Sequence, residues 1–279
     1  MSNGQLEPTI LRFATYLSPS LYGVYEFICK YVGEQTGHDT QLKVGHSLDE
    51  FANGQAHIGF VCGLPYYLAA SRDDPPAELL AAPVLYPKRY QGKPCYFSDI
   101  VVRRDNPCVC FNDLEGCTWG YNEHTSHSGW NIVCYSLLTR GKTFDHFGHL
   151  VKTGSHLQSL EMVLQGDIDA AAIDSHVLDI LRVRYPNLDR QLRIIDTLGP
   201  SSIPPVVVSK DVSPELKQEL QHVLMGMHHD PRAAEALGQG LIAKFVPVTD
   251  DHYRPIHDMF KLVKGWATNT PEKAASNGR

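Results

Sequence analysis

Thr118-Trp-Gly-Tyr-Asn-Glu-His-Thr-Ser-His-Ser-Gly-Trp-Asn-Ile-Val-Cys-Tyr-Ser-Leu-Leu-Thr-Arg-Gly141 is the stretch on which the fold turns. Residues 118–121 read as a short strand and 122–129 as a polar loop. Trp130, Val133, Cys134 and Leu137 then recur at helical spacing as a buried face, and Gly141 stops the helix. The same succession repeats on either side. Upstream, 10–16 reads as a buried strand and 17–20 as a turn, and Leu21, Val24, Tyr25, Ile28 and Val32 form one apolar helix face. Downstream, a strand ends at Lys152, and Thr153-Gly-Ser-His156 opens a helix carrying Leu157, Leu160 and Leu164. Residues 168–173 form another strand, and Asp174-Ser-His176 starts the next helix. Ser213-Pro214 and Asp230-Pro231 are N-cap plus N1-proline helix starts. Alternating strands and helices predict an α/β fold of mainly parallel sheets flanked by helices.

The pattern restarts after Arg104 and returns with a late strand at 206–209. This predicts two lobes with a ligand cleft between them. The first lobe takes 8–103 plus 206–262, the second takes 104–205, and 265–279 is a polar tail. Ligands of such sheets bind outside the carboxyl ends of the strands. Three polar loops fall there: Ser18-Pro-Ser20, Tyr121 to Trp130, and Thr153-Gly-Ser-His156. Each offers hydroxyl or imidazole donors just before a helix, whose unpaired amides and dipole favour an anion. Each is also what an ordinary N-cap looks like; three at strand-to-helix junctions of one chain favour the anion.

The 279 residues are 43% hydrophobic and 20% charged, with a formal net charge of -6 and no basic run. That composition belongs to a globular chain and excludes the basic footprint of a nucleic-acid partner. No apolar run is long enough for membrane insertion. Residues 1–8 have neither the basic nor the apolar region of a secretory signal, and the seven scattered cysteines make no disulfide framework. Both point to the cytoplasm for the chain as written, or to the periplasm if a signal has been removed. Fourteen histidines invite a metal reading, but no His-Glu-x-x-His pattern or Cys/His zinc spacing occurs. Neither metal nor cofactor is expected, and no catalytic residue is assigned.

Over residues 13–181 the chain resembles the substrate-binding proteins of phosphonate- and phosphate-type ABC transporters. The similar stretches are Gly54-Gln-Ala-His-Ile-Gly-Phe60 with Gly63, Tyr96-Phe-Ser-Asp-Ile-Val-Val102, Tyr121 to Trp130, Thr153-Gly-Ser-His156 and Leu164-Gln-Gly-Asp-Ile-Asp-Ala170. The resemblance implies a two-lobed periplasmic-binding-protein-like fold that closes on a small anionic ligand, with an ABC permease as partner. It implies oxyanion contacts at Ser126, His127, Ser128, His156 and Tyr96; the donor loops themselves add Thr125 and Ser18 as candidates. A second family tyrosine falls at Cys62, a departure. Family carboxylates that hold an ammonium group fall at His176 and Pro204, so a cation subsite is expected to be missing and His176 to join His127 and His156 as a third imidazole.

Two other readings share the fold. One is an enzyme like the thiamine-pyrimidine synthases or menaquinone-precursor enzymes, favoured by Cys108-Val-Cys110-Phe111. The other is a cytoplasmic sensor that reports ligand occupancy. No Gly-x-Ser-x-Gly elbow supports nucleophilic catalysis, which leaves ligand binding as the leading expectation.

Overall fold

A computed structural model describes residues 8–269. The chain begins with β1 (Ile10–Thr15), β2 (Asp39–Val44), β3 (Ile58–Phe60) and β4 (Ala77–Leu85). It then crosses over and lays down β5 (Cys95–Arg103), β6 (Thr118–Tyr121), β7 (His149–Lys152), β8 (Ala170–Asp174) and β9 (Leu192–Ser202). It returns as β10 (Val206–Ser209) and β11 (Ile242–Val246). Two sheets result, in the orders β11-β4-β10-β3-β1-β2 and β7-β6-β8-β5-β9. The architecture is the α/β, two-lobed one expected.

The sheets are more mixed than the word parallel suggests. β1 pairs in parallel with β2 and β3, and β6 with β7 and β8. β10 and β5, the first strands after each crossing, run antiparallel to both of their neighbours. The reason is geometric. A chain arriving from the other lobe enters at the cleft, where the parallel strands end, and can only run away from it.

The expected lobe boundary at 103 is corrected on the same ground. β5 was assigned to the first lobe, yet it hydrogen-bonds β8 and β9 in the second sheet. Nothing local marks which sheet a doubly buried strand will join. Ile100 and Val102 pack into one apolar cluster of the second lobe and Val101 into the cluster on the opposite face. The polar tail also begins later than expected. The helix Asp250–Asn269 runs past residue 265, with Tyr253 and Ile256 packed in the first lobe and Met259 and Trp266 against the second. Residues 270–279 of the expected tail lie outside the described residues.

The helices follow their sequence signals closely. Tyr22–Thr36 buries Val24, Tyr25, Ile28 and Val32 and ends at Gly37, whose φ of 70° is the left-handed cap a glycine adopts without strain. Ser213 and Asp230 cap the helices Pro214–Gly226 and Pro231–Gln239 through their side-chain oxygens. No helix among the described residues is long and apolar enough to cross a membrane.

Candidate functional site

The carboxyl ends of β1, β3, β6 and β8 converge on a cavity of about 370 Å3 between the two lobes. Cys62 lines it from the first lobe, and Ser126 and Ser128 from the second. Its opposite wall is apolar, with Tyr25, Phe60, Ile203, Val206, Ile242 and Phe245.

The oxyanion-type donors come from two consecutive strand-to-helix loops. After β6 the chain turns through 122–126 and enters a π-helical turn, His127–Asn131, before the helix Ile132–Thr139. Ser126 caps that turn by accepting the Gly129 amide at 3.1 Å. Ser128 is buried, with its Oγ 2.9 Å from His156 Nε2. His156 opens the helix His156–Gln165, whose cap Ser155 accepts from the Gln158 amide. Ser126, Ser128 and His156 therefore share one wall of the cavity. Thr125 joins them at the exposed rim, and Ser18 lines the cavity from the first lobe with its Oγ 3.0 Å from Ser20 Oγ.

Two expected donors stand behind this wall rather than in it. His127 is fully buried, with Nε2 2.8 Å from Ser201 Oγ and Nδ1 3.1 Å from Asn131 Nδ2. Its place in the tight π-turn sends the ring inward while Ser126 and Ser128 face out. Tyr96 is buried as well, its phenol against the Ser128 hydroxyl and its ring 6.4 Å from that of His127. Both support the wall from the rear.

His176 reaches the cavity but does not join a trio of imidazoles. Its Nε2 donates to the Gly240 carbonyl at 2.6 Å, a bond from the second lobe to the first. At Cys62, the departure from the family tyrosine, burial pushes the thiol up, while the amides of His127 and Leu64 point at the sulfur. Burial pushes the imidazoles down, His127 to about 3 and His156 and His176 to about 4, so all three are neutral at neutrality. Among the described residues no cluster of His, Cys, Asp and Glu could hold a metal ion.

Two site residues escaped the sequence reading. Asn122 sets its Nδ2 3.4 Å from His156 Nε2 and packs against Gly129. A Cβ on Gly129 would lie 1.9 Å from Asn122 Oδ1. Gly129→Ala is therefore expected to cost ~1–3 kcal/mol through overpacking, read as a lowered urea midpoint; an unchanged midpoint would show that Asn122 swings clear. Asp174 was read only as a helix start. It is that, but it also lines the cavity, so the cleft holds a carboxylate although neither His176 nor Pro204 supplies one. The available signal was its place at the end of β8, in line with the other strand-end loops.

The family model described as "ABC transporter, phosphonate, periplasmic substrate-binding protein" matches residues 13–253. The Phosphonates-binding periplasmic protein of Escherichia coli (strain K12) is 26% identical over 187 residues, covering 64% of this chain and 54% of that protein. The chain thus spans about half the length of that curated relative. Among solved structures, a binding protein component of an ABC phosphonate transporter from Pseudomonas aeruginosa superposes with a TM-score of 0.83 at 19% identity, covering 96% of this chain and 91% of that one. A protein of Prochlorococcus marinus (MIT 9301) in complex with methylphosphonate gives a TM-score of 0.80 at 15% identity, covering 92% and 99%. At these identities the structural likenesses establish the two-lobed fold, while the family match extends over both lobes and every loop of the cavity. This chain belongs to the periplasmic, phosphonate-type family of ABC-transporter substrate-binding proteins.

Proposed function

We propose that this protein captures a phosphonate-bearing small molecule in the cleft and presents it to an ABC permease from the periplasmic side. The observation that carries the reading is the shared wall of Ser126, Ser128 and His156, where polar groups from two loops meet in one cavity between the lobes. With its proton on Nδ1, toward the Ala172 carbonyl, His156 accepts at Nε2 from the Asn122 amide, and the Ser128 hydroxyl can turn its hydrogen to a ligand oxygen. Neutral donors in the cleft hold an oxyanion strongly, because bonds to a charged partner are worth more than neutral ones. The apolar wall opposite leaves room for an organic substituent on phosphorus. That favours an organophosphonate over bare inorganic phosphate.

The test is a thermal-shift series with methylphosphonate, longer alkylphosphonates, inorganic phosphate and methanesulfonate, followed by calorimetry. A ligand present at about 100 times its Kd stabilises the fold by ~2.7 kcal/mol. The expected order places alkylphosphonates first. An absence of any shift with the phosphonates overturns the reading.

A further inference from the structure

One carboxyl group of the cavity has no role in the donor wall. Asp174 closes β8, and its Oδ1 accepts the amides of His176 at 2.8 Å and Val177 at 3.3 Å. Its Oδ2 has no hydrogen-bond partner among the described residues, and the side chain lines the cavity while only 9% exposed. Among the described residues lining the cavity there is no lysine or arginine. The other acid there, Glu123, is paired with Lys152 at 2.8 Å.

The groups around Asp174 supply no counter-charge either. Asp99 on β5 and Asp179 on the helix Ser175–Arg184 act on it as like charges, and Arg89 is held by them at 2.7 Å and 3.7 Å. Tyr25, Cys62 and Tyr96 also face it, and burial pushes all three up, so they stay protonated and neutral. His176 beside it is neutral and bonded to Gly240. A fully ionised phosphonate would therefore meet a buried, ionised carboxylate with no cation to offset either, an arrangement that is strongly unfavourable.

We propose that Asp174 shares one proton with the bound oxyanion and donates it as a hydrogen bond, so that the cleft accepts a tetrahedral oxyanion only together with a proton. The inference rests on the phosphonate reading above and names the protonation state that reading requires. Burial already pushes the Asp174 carboxyl up to about 7, with Asp99 and Asp179 adding in the same direction and the two helix amides opposing. A bound anion shifts it further the same way. Well above neutrality the free carboxyl and the free ligand are both ionised, so the single proton of the complex comes from solvent. At lower pH a ligand monoanion brings that proton with it.

The experiment is calorimetry with methylphosphonate at about pH 8.5, in two buffers of different ionisation enthalpy, on the wild type and Asp174→Asn. Asparagine keeps an oxygen for the helix amides and offers an N–H donor to the ligand. The wild type takes up close to one proton, and its affinity falls about tenfold per pH unit above that point. Asp174→Asn takes up none, and its affinity stays flat. Binding by the wild type without proton uptake, or uptake that survives in Asp174→Asn, overturns the inference and leaves the phosphonate reading standing. Proton release overturns it too. If neither protein binds any phosphonate, the phosphonate reading fails and this inference fails with it.

Discussion

Ser128→Ala and His156→Ala are each expected to weaken phosphonate binding by about tenfold to a hundredfold, the equivalent of ~1.5–3 kcal/mol for a hydrogen bond to a charged partner. Both side chains face the cavity and each is the other's partner at 2.9 Å. Ser128→Ala removes a hydroxyl donor and leaves His156 Nε2 facing the cavity with Asn122 alone. His156→Ala removes the ring that orients the hydroxyl. Because one bond joins them, the double variant loses less than the sum of the two single losses. Calorimetry on all three variants reads this directly, and the melting temperature without ligand separates a lost contact from a lost fold. Wild-type affinity in both single variants would take these residues out of the site.

Acidification should unfold the protein steeply between pH 6.5 and about 4, and the buried histidines are the cause. Burial holds His127 at about 3 and His156 and His176 at about 4, against an ordinary value of 6.5. The unfolded chain therefore binds more protons, so this stability is fully present above the unfolded value and lost as pH falls below it. Each histidine costs on the order of 3 kcal/mol by pH ~4. Asp174 works in the opposite sense. Its folded value, about 7, lies above the ordinary 3.8, so its contribution improves as pH falls through that window. Three histidines against one carboxyl leave a net loss on the order of 6 kcal/mol, comparable to the whole stability of an ordinary domain. Urea midpoints measured from pH 7 to 4.5 check this, and His127→Gln, which removes one titrating ring, flattens the curve by about one proton. A wild-type midpoint that does not move over that range would mean the rings are hydrated in solution.

How much of the site was legible depended on how local each choice is. Ser155 and Ser213 announced themselves as caps because a cap is decided within four residues. The Ser126 and Ser128 loop was legible for the same reason, as a donor-rich turn ahead of an apolar helix. His127 was misplaced because a tight π-turn sends neighbouring side chains to opposite sides, and the turn type is not written in the residue order. Asp174 was read correctly as a cap, but a carboxylate has two oxygens. Only the position of the first lobe shows that its side chain lines a cavity. His176 was placed at the cleft, while its partner, the Gly240 carbonyl, lies 64 residues away on the other lobe.

The sequence by itself determined the alternation of strands and helices, the caps, the two-lobe plan and the pair of donor loops. These follow from hydrophobic period and turn chemistry, which act over a few neighbouring residues. Tertiary structure alone decided that β5 joins the second sheet, that the last helix spans both lobes, and that His127 stands behind the wall it was expected to line. It also decided that a buried carboxyl shares the cavity with the oxyanion donors. Those outcomes depend on which surfaces meet when the lobes pack, and on the water that packing removes from charged groups, neither of which has a local signature in the chain.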